Sequence, residues 1–488
     1  MMQALKKIPF FLFLLVLFFC LHGSLDNYGF VEAGEVIWVG VMIGAGIALL
    51  FGFLAWITRP NYRLAALISF FIGLWYLFFG AIYDFIERTS FLHFFLRFSI
   101  LIPLLLVLTI AWITWLKRKK MMQEKMTLYL NVLLLIYCLV DVTMLSTRAL
   151  KPVAQKKVQL NFDASRVKTK PNVYFMLFDE YPGYKSLKDS FHFANDSLYG
   201  YLHQQQFRML PVFSNYHFTL FSMSAILNMQ YVEPGYVPMK VTQHDFQLRI
   251  NEIRHAAVVD VFKQMGYEFK NLSVFDVDEQ HAVADQNSFL PVHSVLLTDK
   301  ILHNRLIRST GWLMKKFPLW KRKYLFQHDD NNLYAEKKLV QLAAEKKQSP
   351  VFCYAHFMMP HAPFYRDSAG NYNPEELIAD ELQWTREAYL SYLKYANSVI
   401  RSMVSQMIAS DPGAIIVVMS DHGYRTYKNK DPFEPFNYNI ICAARFPDQN
   451  YVDFREKWSS VNFFRYLFNC EFNQQLPYLA DSSIHLSY

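Results

Sequence analysis

Five long apolar runs crowd into the first 150 residues, at roughly 8–22, 36–57, 64–86, 92–116 and 127–147. A bilayer offers backbone polar groups no water, so a segment crossing it must bond internally, as a helix does. The runs therefore read as about five transmembrane helices. The chain is 53% hydrophobic, and most of that excess lies here, whereas the remainder has ordinary globular composition. The expected division is a transmembrane domain over 1–147, a polar and basic juxtamembrane linker over 148–170, and a soluble domain over 171–488.

Flanking charge orients the helices. Lys6 and Lys7 precede the first run, Arg59 and Arg63 follow the second, and Lys117, Arg118, Lys119 and Lys120 follow the fourth. The positive-inside rule then places the N-terminus in the cytoplasm and everything after 147 outside. Arg148, Lys151, Lys156 and Lys157 pull the other way, but three basic flanks outweigh one. The first run is short enough for a secretory signal, yet no small-x-small cleavage site follows it, and the remaining spans keep their orientation either way. The expected location is the cell (inner) membrane, multi-pass, with the soluble domain periplasmic or extracellular. Asp84, Arg97 and Asp141 fall at the outer-leaflet level, where pairing of Arg97 with a carboxylate, or snorkelling to the interface, accounts for them.

The net charge of +8 sits largely beside these apolar runs, and no basic cluster carries interleaved aromatics, so no nucleic-acid partner is expected. Five cysteines form no CxxC pair, which excludes a cysteine zinc site and gives no disulfide framework.

After Pro171 strand-like and helix-like stretches alternate, the pattern of a mostly parallel sheet covered by helices on both faces. Ligands of such sheets bind beyond the carboxyl ends of the strands. Three strands end in potential chemistry: NVYFMLF in Asp179, FCYAHF in His356 with His361 beyond it, and IIVVMS in Asp421 and His422. A lone aspartate after a strand is ordinarily a turn or capping residue. Three such ends meeting is different: Asp179, Asp421 and His422 would supply two carboxylates and an imidazole to one divalent cation. That donor set favours Mn²⁺ or Zn²⁺ over Ca²⁺, which prefers oxygen alone. His328, Asp329, Asp330 and the stretch DVDEQH at 276–281 also look metal-like, but read as exposed acidic loops.

Four segments, PNVYFMLFDEYPG, SNYHFTLFSMSAILNMQYV, FCYAHFMMPHAPF and IIVVMSDHGYR, stand in an order and spacing that resembles the sulfatase-like branch of the alkaline phosphatase superfamily. The resemblance covers about 170–488. Helical spans followed by such a domain is also the layout of lipoteichoic acid synthases and phosphoethanolamine transferases. The resemblance implies an alkaline-phosphatase-like α/β fold for the extracytoplasmic catalytic domain, with Asp179, Asp421 and His422 as metal ligands. It implies that Thr219 is the nucleophile and a fourth ligand, and that His361 contacts the transferred group or leaving oxygen. His356 and Glu180 are implied as substrate-binding residues.

The departures narrow the chemistry. Formylglycine sulfatases need a cysteine or serine followed closely by proline or alanine and arginine, and TLFSMSA has neither cysteine nor arginine. A second full set of metal ligands is also missing, which argues against a two-zinc phosphatase. The implied activity is a metal-dependent phosphoryl-group transfer, of phosphoglycerol or phosphoethanolamine type. The donor would be a membrane lipid and the acceptor a glycan or lipid. The alternatives are a hydrolase of phosphate diesters or sulfuric esters, and a non-catalytic membrane scaffold. The insert near 276–330 is expected to shape the acceptor side.

Overall fold

A computed structural model describes residues 6–28, 30–150, 160–232, 241–283, 294–306, 325–379, 384–425, 435–452 and 457–487. The chain divides into two compact units, Met1–Gln155 with Ser288–Lys321, and Lys156–Asn287 with Arg322–Tyr488.

The first unit holds α1 (Phe11–Asp26), α2 (Ala33–Ile57), α3 (Tyr62–Glu87), α4 (Phe98–Arg118) and α5 (Lys120–Leu150). By length and composition α2 to α5 can each cross a membrane, whereas α1 is equally apolar but shorter. Leu49, Trp56, Val107 and Ile110 are all at least 60% exposed within the unit. Contiguous apolar surface of this kind is costly in water and free in lipid, which is the physical reason to seat these helices in a bilayer. α4 starts later than its apolar run, because a 3-10 segment over Ser90–Leu96 and an extended Arg97 come first. The acids of this unit find partners the sequence did not suggest. Asp141 is buried with His22 Nδ1 at 3.3 Å. Asp84 meets Lys300 and Arg305 rather than Arg97.

The second unit is built on a six-stranded sheet. Its strands, with two short ones that pair separately, are β1 (Val173–Phe178), β2 (Arg208–Met209), β3 (Val212–Phe213), β4 (Glu268–Leu272), β5 (Val351–Phe357), β6 (Ile415–Met419), β7 (Cys442–Arg445) and β8 (Trp458–Ser459). The sheet order is β2-β7-β6-β1-β5-β4, with β3 and β8 apart. β4, β5, β1 and β6 run parallel, and β7 runs against both of its neighbours. Both faces are covered, as the unbroken apolar run of β1 requires. Val173, Phe175 and Leu177 join one core, with helices α7 (Ala257–Gln264) and α10 (Phe463–Glu471). Tyr174, Met176 and Phe178 join the other, with α8 (Gln327–Ala344) and α9 (Arg386–Ser410). α9 shows why it lies there. Tyr389, Tyr392, Leu393, Ala396, Val399, Ile400, Met403, Val404 and Met407 are buried, a stripe at helical period. Thr385 caps its start by accepting from Ala388 N–H. A separate short helix, Glu375–Ala379, precedes α9.

The stretches expected to be exposed acidic loops are partly buried and paired. Asp329 is 1% exposed, and Arg366 donates to both its oxygens at 3.2 and 2.9 Å. Asp276 lies near Arg254 and His281 and accepts from Ala282 N–H. Their cations come from 22 or more residues away in the chain, apart from His281, which is why neither partnership shows in the local sequence.

Candidate active site

Parallel pairing of β1 with β6 sets Leu177 level with Met419, and continuing that register two residues sets Asp179 level with Asp421. The two acids therefore emerge side by side at the carboxyl end of the sheet. Asp179 N–H is taken by Phe357 O at 3.0 Å, a last rung toward β5. Glu180 then adopts φ 62°, a left-handed conformation that costs a non-glycine residue roughly 1–2 kcal/mol. It turns the Glu180 N–H onto Asp421 Oδ1 at 3.1 Å and sends its side chain elsewhere. Ser420 ties the same corner, accepting from Tyr181 N–H at 2.9 Å and donating to His422 O at 2.8 Å. Ser222 Oγ donates to Asp421 O.

These bonds leave one oxygen of each acid over. Asp179 Oδ1 and Asp421 Oδ2 are buried and accept no hydrogen bond among the described residues. One ligand atom each from Asp179, Asp421 and His422 fall within 4.8 Å of one another, all from fully buried residues. His422 Nδ1 lies 2.8 Å from Gly423 O, a bond only its N–H can make, so the lone pair is on Nε2, facing Asp421 Oδ2 at 3.2 Å. Burial, with the charge of Arg425, pushes that ring down to about 4, so it is neutral. Two secluded carboxylates this close do not both ionise readily without a counter-charge. Burial and the Asp179 charge push Asp421 up to about 6. Burial raises Asp179 too, but His361, His356 and His422 outweigh it and hold it well below the usual carboxylate range. A buried, unpaired, convergent set of two carboxylates and a neutral imidazole fits a divalent cation.

Thr219 is the first residue of α6 (Thr219–Asn228), which follows an extended Phe218. Its Oγ1 lies 3.4 Å from Asp179 Oδ2 and 3.2 Å from His422 Nε2, and the residue is partly exposed, open to a substrate. The positive end of the α6 dipole adds to the field at that hydroxyl.

His356 takes a different place from the one expected. Its side chain is wholly buried and both ring nitrogens are committed. Nε2 reaches Asp179 Oδ2 at 3.3 Å and Nδ1 lies 2.9 Å from Tyr354 Oη. Burial lifts the Tyr354 phenol well above its ordinary value, so it stays a donor, and His356 in turn donates to Asp179. His356 thus braces the Asp179 carboxylate. Glu180 likewise spends its carboxylate inside the protein: Oε1 accepts from Arg425 N–H at 2.8 Å and faces Arg425 Nε at 3.7 Å. His361 adjoins this pair, with Nε2 3.1 Å from Arg425 Nη2 and 3.8 Å from Glu180 Oε2, and Nδ1 2.6 Å from Ala362 O. Burial disfavours a charged His361, but Asp179 and Glu180 together outweigh it and raise the ring above its ordinary value.

A family model described as sulfatase matches residues 188–453, more than half of the chain. The chain belongs to the sulfatase family. It is an enzyme of that family. A search of curated proteins finds no match. Solved structures similar to this chain include the C-terminal periplasmic domain of EcEptC from Escherichia coli, at 14% identity over 65% of this chain and 86% of that one, with TM-score 0.40. The corresponding domain of phosphoethanolamine transferase EptC from Campylobacter jejuni aligns at 12% identity over 66% and 95%, with TM-score 0.39. Phosphonate monoester hydrolase of Agrobacterium radiobacter aligns at 11% identity over 63% and 74%, with TM-score 0.38.

Within this sulfatase-family site, sequence reasoning singled out the acids and histidines but passed over Arg425 and Tyr354. Arg425 stands only three residues beyond His422 in DHGYR, so its position beside the site could have been inferred from the motif itself. Tyr354 gave no signal beyond being two residues before His356 on β5, hence on the same face.

Proposed function

We propose that this chain transfers a phosphoryl-containing group, of phosphoglycerol or phosphoethanolamine type, from a membrane lipid to a glycan or lipid acceptor outside the cell membrane, through a covalent intermediate on Thr219. The observation that carries this reading is the placement of Thr219 Oγ1 within 3.4 Å of both Asp179 and His422, at the rim of the buried acid pair.

Asp179, Asp421 and His422 would hold the divalent cation, Mn²⁺ or Zn²⁺ by donor type, with Thr219 Oγ1 beside them. That ion supplies Lewis acidity at the phosphoryl oxygens and the nucleophile. The chain's own groups do the rest. Asp179 Oδ2 accepts the Thr219 hydroxyl's hydrogen bond and aims its oxygen, while His356 and Tyr354 fix that carboxylate from behind. As the Thr219 Oγ1–P bond forms, the hydroxyl proton passes to water and the P–O bond to the lipid breaks. The departing oxygen takes a proton from protonated His361, a state its acidic neighbours favour and in which Nε2 points its N–H at the leaving oxygen instead of accepting from Arg425. In the second half the acceptor hydroxyl attacks phosphorus, its proton returns to His361, the Thr219–P bond breaks, and Thr219 Oγ1 takes its proton back from water. The N-terminus of α6 favours the anionic phosphoryl group throughout. The long apolar helices and the basic flanks at Lys6, Arg59 and Lys117 support a multi-pass location with this domain on the outer side.

The test is intact-mass spectrometry of the detergent-solubilised protein after incubation with defined phospholipids. An adduct of the head-group phosphate on wild type, absent from Thr219→Ala, is expected. Full lipid turnover by Thr219→Ala would sink the covalent step. Release of head group only to water, whatever glycan or lipid is offered, would make the protein a hydrolase.

A further inference from the structure

The chain leaves the carboxyl end of β4, the sheet end that carries the active site, and does not start α8 until Gln327. The middle of this excursion, Ser288–Lys321, groups with the apolar helices and not with the catalytic unit. Its described part, 294–306, lies against α3 in a way that three separate features of that helix anticipate.

The first is a broken hydrogen-bond ladder. Phe78 has φ −106° and ψ 17°, outside helical values, and two residues later the Gly80 N–H leaves the helix to donate to Lys300 O at 2.7 Å. An amide left unpaired in apolar surroundings is expensive, so the break needs an acceptor from elsewhere, and Lys300 supplies it. The second is Gly80 itself. A Cβ there would lie 2.7 Å from Lys300 Cα, so only glycine lets the two backbones approach this closely. The third is charge. Asp84, one turn beyond Gly80, accepts from Lys300 Nζ at 2.8 Å and from Arg305 Nη2 at 2.9 and 3.1 Å. Apolar contacts complete the seat, since Leu297 and Ile301 are 3% and 2% exposed, and Ile301 belongs to the same core as Phe11, Leu15 and Leu67. Tyr76 Oη meets His303 Nδ1 at 2.7 Å over stacked rings.

We infer that residues 294–306 are a second membrane attachment of the catalytic domain, with the Phe78–Asp84 stretch of α3 as their receptor. The domain is thereby held at two points, by the linker after α5 and by this insert. The inference rests on the membrane reading of α2 to α5, and it is independent of the chemistry proposed for Thr219. It gives part of the insert near 276–330 a role apart from the acceptor side.

The experiment places a specific protease site in the linker, within 151–159 of the full chain expressed in membranes. After cleavage and a high-salt wash, the membranes are sedimented and the C-terminal fragment is followed by immunoblot. The wild-type fragment is expected in the pellet. Gly80→Leu and Asp84→Arg should move most of it to the supernatant as a trypsin-resistant body, and Lys300→Glu with Arg305→Glu should return it to the pellet in the Asp84→Arg background. A wild-type fragment released on cleavage overturns the proposal. Retention of the fragment in both α3 variants overturns it as well, because something other than this seat would then hold it. Uncut protein found in the supernatant would instead overturn the membrane reading.

Discussion

Asp84 in the helical unit and Asp421 in the catalytic unit are both acids withdrawn from bulk water, yet their surroundings are opposite. Asp84 is met by two cations of its own chain, Lys300 and Arg305, and both its oxygens are used. Asp421 is met by another acid, Asp179, and each keeps a buried oxygen that no described residue satisfies. A carboxylate whose counter-charge is built into the chain is part of the architecture. One whose free oxygen converges with another acid and a neutral imidazole is completed only by a mobile cation. The difference is in the partners, because both acids sit near element ends.

Exchanging the acids for amides separates the two cases most widely. Asp421→Asn is expected to lower turnover by on the order of 10³-fold or more, the scale of losing a principal electrostatic contributor. Elemental analysis should show the bound divalent metal lost with it. In metal-free buffer the same variant should melt higher than wild type, because one of two facing carboxylates is gone. Asp84→Asn should keep its metal and its turnover of a soluble ester, but melt lower, since Lys300 and Arg305 lose their counter-charge. Metal loss from Asp84→Asn, or a lower metal-free melting temperature for Asp421→Asn, would erase the distinction.

Glu180 lies between the extremes, next to the metal site yet satisfied by Arg425 as Asp84 is by Arg305. Removing that partner tests whether the pairing serves the reaction. Arg425→Ala keeps the backbone N–H bond to Glu180 but removes the guanidinium that faces Glu180 and His361, and should lower kcat by roughly 10–100-fold, the usual cost of removing a group that orients a site residue. Metal content should not change. Arg425→Lys should recover little, since a single ammonium does not reproduce the planar fork that spans Glu180 and His361. An effect confined to KM would mean that Arg425 only holds substrate.

Much of this was legible before any coordinates. The strand-ending Asp179, Asp421 and His422 announced themselves because apolar β-branched runs stop at polar residues, and parallel pairing brings such stops to one edge. The helices of the first unit were legible from length alone, although α4 begins six residues after its run because Ser90–Leu96 winds as a 3-10 segment. What stayed hidden depends on contacts across long sequence separations. Asp84 and Arg305 are 221 residues apart, and Asp329 and Arg366 are 37 apart. No local period encodes such a pairing. The contacts of His356 stayed hidden for a related reason. A histidine at a strand end is equally suited to touch substrate or to brace a carboxylate, and only the placement of Tyr354 and Asp179 decides.

A third buried carboxyl completes the comparison, for Glu471 at the end of α10 has Asp448 as its neighbour and, among the described residues, no ion pair with a cation. It is 8% exposed, and its Oε1 has no hydrogen-bond partner among the described residues. Burial, reinforced by Asp448, pushes it from 4.5 up to about 8, so the folded protein keeps it protonated near neutrality. The unfolded chain, with Glu471 near its ordinary value, releases that proton once the pH exceeds about 4.5. Between there and about 8 the folded state binds more protons than the unfolded one, so this group's contribution to stability is whole below the window and is lost as pH rises through it. Discounted for partial solvent access, the loss should be on the order of 1 kcal/mol. Glu471→Gln keeps the shape and removes the titration. Melting curves of the two proteins from pH 5 to pH 8.5 should therefore diverge upward, with the glutamine variant gaining steadily on wild type. Parallel curves across that range would mean that Glu471 ionises in the folded protein as readily as in water, and that seclusion beside Asp448 does not hold a proton on a carboxyl in this fold.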